Sequence, residues 1–83
     1  MEIILTKAEN HALETCKAHF EKTNEVPNGG QLAFLLELDR SRGYHYIRAF
    51  CELGIMKQVK QCVYQWTDIS YQVKVHNRTR GKA

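Results

Sequence analysis

A short basic and aromatic segment holds the residues of this chain whose types and spacing could do chemistry. Residues 38–50, "LDRSRGYHYIRAF", carry Arg40, Arg42 and Arg48 among tyrosine and histidine side chains. A polyanion is steered towards such a concentration of positive charge. The simpler interpretation is a solvated basic surface that only confers solubility.

The charge of the whole chain is polarised in the same sense. Residues 1–39 contain three lysines against seven acidic side chains, a net charge of −4. Residues 40–83 contain nine lysines and arginines against two acidic side chains, a net charge of +7, which returns the overall +3. The basic half is therefore the half that would meet an anionic partner.

Neither a metal centre nor a catalytic site is indicated. Cys16, Cys51 and Cys62 are odd in number and widely spaced, so we expect buried, unreactive thiols rather than disulfides. Cys16 and His19 share a helix face, but two ligands leave a tetrahedral zinc site incomplete. With no phosphate-binding glycine loop and with scattered carboxylates, the chain is predicted to be a non-enzyme without a cofactor.

Length and composition predict one small soluble domain. The chain has 83 residues, 43% of them hydrophobic and 25% charged, close to globular averages. No apolar run is long enough to span a bilayer, and the first residues do not resemble a secretory signal. We expect a cytoplasmic, nucleoid-associated protein.

Three helices are predicted from capping signals and apolar periodicity. Thr6 and Glu9 form a capping box that begins a helix over about residues 7–22. Asn28 and Gln31 begin a short helix that ends near residue 37. A third helix begins at Asp39 or Ser41 and stops at Gly54.

The segment after residue 54 has β character. Ile69, Tyr71, Val73 and Val75 alternate with polar residues, as in a half-buried strand. A turn is predicted at Lys60 and Gln61 or at Thr67 and Asp68. Turns at both places would give three strands. Three aromatic residues of this segment are expected to lie in the core: Tyr64, Trp66 and Tyr71. The alternative is that these side chains form a platform on which single-stranded bases stack.

Residues 32–54, "LAFLLELDRSRGYHYIRAFCELG", resemble the helix-turn-helix pattern of winged-helix DNA-binding regulators. The layout is similar to that of the N-terminal domain of the DNA-damage (SOS) repressor. The residues that match the pattern are Leu32, Ala33, Leu36, Leu38, Ile47, Phe50 and Gly54. The resemblance implies an α+β fold, in which a three-helix core is followed by a C-terminal β-hairpin, the wing. It predicts one domain over residues 1–76 and a basic, frayed tail over residues 77–83.

The resemblance also implies which side chains would touch DNA. The exposed side of the third, recognition helix would carry Arg40, Ser41, Arg42, Tyr44, His45 and Arg48. An arginine there can bind guanine in the major groove while serine or tyrosine holds phosphate. His45 is either a pH-sensitive contact or a neutral surface residue. Lys57 and Lys60 in the wing would meet the flanking backbone, with further contacts from Arg78, Arg80 and Lys82.

Four residues depart from the family pattern. Glu37 stands where the turn often has glycine, and Gly43 takes a usually apolar, packed position, so the third helix starts late or lies close to a neighbour. Phe34 and Leu35 replace polar residues. They form either an exposed patch for a partner or part of a tighter core.

These features predict sequence-specific binding of double-stranded DNA by a small transcriptional regulator of bacterial or phage type. It would act by site occupancy or by recruiting a partner. We expect a homodimer or cooperative binding, with Phe34 and Leu35 as candidate contacts. The alternatives are a winged-helix module that binds a protein, such as a viral inhibitor or an assembly subunit, and a DNA-bending accessory factor of recombination.

Overall fold

The computed structural model describes residues 1–76. The predicted tail, with Arg78, Arg80 and Lys82, lies outside these residues. Within these residues one strand is followed by three helices and then by three strands, an α+β arrangement that confirms the predicted α+β class. In chain order they are β1 (Glu2–Thr6), α1 (Lys7–Thr23), α2 (Gly29–Leu36), α3 (Arg40–Glu52), β2 (Met56–Lys60), β3 (Val63–Trp66) and β4 (Gln72–His76).

The helix starts are fixed locally, as the capping signals predicted. The Glu9 N–H donates to Thr6 Oγ1 at 3.1 Å, and the Thr6 N–H donates to Glu9 Oε1 at 2.9 Å. Asn28 and Gln31 make the same reciprocal pair at the start of α2. Asp39 begins α3 by accepting the Arg42 N–H at 3.1 Å. Each box satisfies amide groups that a helix leaves without an internal partner.

The end of α3 follows the glycine signal. Gly54 has a φ of +87°, and the Ile55 N–H donates to the Phe50 carbonyl at 3.1 Å while the Gly54 N–H donates to the Cys51 carbonyl at 3.0 Å. This bond pair is a Schellman motif, which turns the chain sharply out of the helix. Ile55 and Met56 are thereby placed in the core at the start of the hairpin.

Gly43 marks the place where α2 and α3 approach most closely. A β-carbon at Gly43 would overlap the carbonyl oxygen of Gly29 and lie 2.7 Å from the β-carbon of Ala33. The helix does not start late. Of the two explanations for a glycine at this position, close contact with a neighbouring helix is the correct one.

The β-hairpin has its turn one residue later than the nearest predicted position. β2 and β3 pair antiparallel, with Met56 opposite Trp66, and a bulge interrupts the register between Gln58 and Lys60. The two turn residues are Gln61 and Cys62, and Cys62 has a φ of 62°.

The hairpin is not the last β element, which corrects the predicted layout. The alternating segment forms β4, which pairs in parallel with β1 rather than with the hairpin. Ile3 and Leu5 of β1 are buried, whereas Ile4 between them is 55% exposed. No strand was predicted before α1, because the short segment of residues 2–6 gains its strand partner only from the far end of the chain.

One hydrophobic core joins all of these elements. Its largest fully buried side chains include Phe50, Leu13, Leu32, Ile47 and Leu5. Tyr64, Trp66 and Tyr71 are half-buried and pack against it, as predicted for aromatic residues at strand spacing. Among residues 1–76, no helix is long and apolar enough to cross a lipid bilayer.

Candidate nucleic-acid interface

The candidate interface is built on the outer side of α3. Gly43, Tyr46, Ile47 and Phe50 are buried and recur every three to four residues, so they form the inner face of the helix. The remaining positions must point away from the core. Asp39 fixes where this face begins, because its carboxylate accepts the Arg42 N–H.

Most of the predicted recognition residues are exposed. Those that lie in solvent are Arg40, Ser41, Arg42, His45 and Arg48. The hydroxyl of Ser41 donates to Asp39 Oδ1 at 3.0 Å, so it has to turn away from its own helix cap before it can donate to a phosphate.

Tyr44 departs from the expected exposure. It is half-buried, and a β-carbon at Gly29 would stand 2.5 to 2.7 Å from atoms of its ring, so the ring lies directly over the backbone of α2. Tyr44 therefore helps to hold α2 against α3. Its ring is packed where the family resemblance implied a free contact.

The arginines at the start of α3 lie on different flanks of the helix. Arg40 leans against α2, with its guanidinium 3.8 to 3.9 Å from the position of a β-carbon on Gly30. Arg42 lines an open groove beside α1, together with Thr6, Glu9 and His45. The positive surface thus extends across α3 from the start of α2 to the start of α1, and is wider than one helix face.

The hairpin adds two further cations. Lys57 and Lys60 of β2 are both exposed, Lys57 opposite Gln65 and Lys60 next to the turn. Met56, from the same strand, is buried against the end of α3. Because the core fixes this strand at its buried end, the lysines are presented at a defined place beside α3.

An apolar patch lies on the outer side of α2 and its turn. Phe34 is 82% exposed, Leu35 41% and Leu38 39%. The prediction that Phe34 and Leu35 belong to a tighter core is wrong, because both side chains are exposed. That the patch contacts a partner stays a prediction. Leu38, which matches an apolar position of the family pattern, is also more exposed than that pattern implies.

The turn between α2 and α3 carries backbone strain. Glu37 has a φ of 60° and a ψ of 43°, the left-handed conformation that glycine adopts without a steric penalty. A glycine at this position would adopt the same conformation without that penalty. The exposed carboxylate also brings negative charge between α2 and the basic face of α3.

Replacing Glu37 with glycine is expected to stabilise the fold by about 1 kcal/mol, because the left-handed conformation costs a side-chain-bearing residue about that much. Urea unfolding followed by circular dichroism measures the change. Glu37→Ala is the control, since alanine removes the charge and keeps the strain. A gain of the same size in both variants would assign the effect to the charge instead.

The cysteines match the expectation of burial only in part. Burial raises the pKa of the Cys16 thiol to about 12, which makes this cysteine a poor nucleophile and a poor metal ligand. Cys51 is half-buried, and Cys62 is exposed in the hairpin turn, which corrects its predicted burial. In residues 1–76, no three histidine, cysteine or acidic side chains are grouped to hold a metal ion.

A second open groove, which no sequence pattern indicated, runs between β3 and the connection from α1 to α2. Phe20, Asn24, Glu25, Tyr64 and Trp66 are among the residues that line it. These residues come from two stretches that are far apart in the chain, 20–31 and 62–66, so neither spacing nor composition could group them.

No family model, curated protein or solved structure matches this chain. What the chain does has to be inferred from its own residues and their geometry.

Proposed function

We propose that this protein binds double-stranded DNA in a sequence-specific manner and regulates transcription by site occupancy. In this proposal the domain is a variant of the winged helix, in which α3 enters the major groove and the hairpin of β2 and β3 is the wing. The observation that carries the proposal is the surface of α3. A short helix fixed by its core face and its cap holds Arg40, Arg42 and Arg48 in solvent.

The flanking arrangement of the arginines suits a groove better than a flat surface. A recognition helix in the major groove has one phosphate backbone on each side and base edges beneath it. Arg40 and Arg42 flank the start of α3, and Arg48 lies about two turns further along. Phosphate contacts on both sides would fix the register, and one arginine fork would read guanine.

The exposed patch of Phe34, Leu35 and Leu38 supports a second part of the proposal, assembly into a homodimer. A single module of this size reads only a short site, and paired modules double the length that is read. The same exposure supports the alternative class, a winged-helix module that binds another protein through Phe34.

Salt-dependent DNA binding tests the proposal. We expect a mixed-sequence 25-base-pair duplex, followed by fluorescence anisotropy, to bind with an affinity that falls steeply with salt, by a log–log slope of about −0.9 per phosphate contact. Arg40→Ala/Arg42→Ala should weaken binding at least about tenfold and flatten the slope.

A matched control separates the site from the net charge. Lys22→Ala/Lys74→Ala removes two exposed positive charges from α1 and β4, so it should change the affinity little. An equal loss of DNA affinity in both double variants would show that the arginines act only through non-specific electrostatic attraction. Absence of DNA binding at low salt would overturn the DNA proposal. The alternative function, binding of another protein through Phe34, would then remain.

A further inference from the structure

A groove of about 580 Å³ runs along the outer edge of β3. All four residues of β3 line one wall. The opposite wall comes from the end of α1, the connection to α2 and the first turn of α2. The volume lies within the range of about 300 to 1,000 Å³ that is typical of ligand sites.

The backbone of β3 offers free hydrogen-bonding groups to this groove. The Thr67 N–H donates to the Ile55 carbonyl at 3.1 Å, which makes these two residues a hydrogen-bonded pair of the antiparallel ladder. Because such pairs alternate along a ladder, Met56 with Trp66 and Gln58 with Tyr64 are non-hydrogen-bonded pairs. The amide and carbonyl groups of Tyr64 and Trp66 therefore point away from β2 and into the groove.

The part of the chain that the structure describes supplies no backbone partner for these groups. Within residues 1–76, β3 pairs with β2 alone, and no backbone hydrogen bond joins it to the opposite wall. That wall is unsuited to pairing, since Asn24 is left-handed and Pro27, which has no N–H, is buried in the core. Among the described residues, the outer edge of β3 is thus an unpaired strand edge beside an open groove.

The lining indicates what kind of molecule fits. Phe20 meets Trp66 edge to face, with ring centroids 6.1 Å apart, and both rings are half-buried, which gives the groove an apolar floor. Asn28 and Gln31 use their side-chain oxygens in the capping box, so their NH₂ groups remain available as donors. The single charged side chain among the described lining residues is Glu25, which disfavours an anion and favours a cation.

We propose that the outer edge of β3 receives an extended peptide segment of a partner protein as an added strand. The backbone of the segment bonds to the amide and carbonyl groups of Tyr64 and Trp66. An apolar side chain of the segment packs against Phe20 and Trp66, and a lysine or arginine lies near Glu25. Main-chain bonds would supply affinity in this mode, while the aromatic floor and the carboxylate would supply specificity.

This surface is distinct from the proposed DNA interface. The lining that residues 1–76 supply contains no lysine or arginine, whereas the surface of α3 is basic. A regulator that holds DNA through α3 and the lysines of β2 would leave the outer edge of β3, which faces away from β2, available for a second protein.

Amide hydrogen exchange measured by NMR tests the free edge. In the full chain without a ligand, the Tyr64 and Trp66 amide protons are expected to exchange much faster than those of Gln65 and Thr67, which the ladder with β2 protects. Equal protection of all four amides would overturn the proposal, because the edge would then already be paired.

Binding is tested with linear heptapeptides selected from a random displayed library against the full chain. Native chemical ligation at Cys62 allows the complete protein to be made with a methyl group on the Tyr64 amide nitrogen. We expect the selected peptides to bind the methylated protein at least about tenfold more weakly than they bind the unmethylated ligated protein. In the unmethylated protein, the bound peptides should protect the Tyr64 and Trp66 amide protons from exchange.

The arginine variants separate this outcome from the DNA proposal. Arg40→Ala/Arg42→Ala should bind the selected peptides as the natural chain does, whether or not the chain binds DNA. The proposal for β3 is overturned if no binding peptide can be selected. It is also overturned if the peptide affinity is unchanged by methylation of Tyr64 or depends on the two arginines.

Discussion

Gly43→Ala is expected to destabilise the protein by about 2 to 3 kcal/mol, despite the better helix propensity of alanine. The new methyl group would overlap the carbonyl oxygen of Gly29 and press on Ala33, whose backbone nitrogen lies 2.8 Å from the β-carbon position. Backbone atoms cannot rotate away as a flexible side chain can. The helices α2 and α3 would have to move apart, which also disturbs the packing of Tyr44 over Gly29.

Thermal unfolding followed by circular dichroism measures this loss as a fall in Tm of about 10 to 20 °C for a domain of this size. Gly30→Ala is the matched control. A β-carbon at Gly30 meets nothing closer than Asn28 Oδ1 at 3.6 Å, so this variant should gain about 0.5 to 1 kcal/mol. A neutral Gly43→Ala would contradict the close crossing of the two helices.

Leu5→Ala is expected to cost about 2 to 5 kcal/mol, as large-to-small substitutions in well-packed cores do. Leu5 is 1% exposed, although it belongs to a short N-terminal segment that looks peripheral in the sequence. Its burial depends on β1 lying beside β4, where Leu5 pairs with Val75. The loss of stability in this variant therefore reports on the pairing of β1 with β4 as well as on the cavity that the substitution leaves.

Ile4→Ala provides the comparison from the same strand. Ile4 is 55% exposed and pairs with Lys74, so its truncation should cost less than about 1 kcal/mol. Chemical unfolding in urea distinguishes the two variants. Equal and small effects would show that β1 does not pack as a strand, because the alternation between buried and exposed neighbours would then be lost.

The sequence by itself determined the elements whose signals are local. The capping pairs at Thr6 and Asn28 and the glycine at position 54 set helix boundaries within a residue or two. The inner face of α3 followed from the recurrence of Ile47 and Phe50. Hydrogen bonds between near neighbours and helical periodicity are properties of a few consecutive residues, so they can be predicted without knowing the fold.

The sequence also predicted the exposed arginines of α3, but not the directions in which they lie. Arg40 rests on α2 and Arg42 faces α1, and the ring of Tyr44 is packed over Gly29. These placements depend on how closely two helices cross. The sequence indicated only that Gly43 required an explanation, and left open whether Phe34 was buried or exposed.

The tertiary structure alone decided the parallel pairing of β1 with β4 and the free edge of β3. Residues 2–6 and 72–76 are almost a full chain length apart, and each segment is too short to identify its partner. The groove at β3 lies between this strand and a loop that is distant along the chain and contains the buried Pro27. Contacts between distant segments form only when burial of the whole core repays their loop-closure entropy, so no local pattern encodes them.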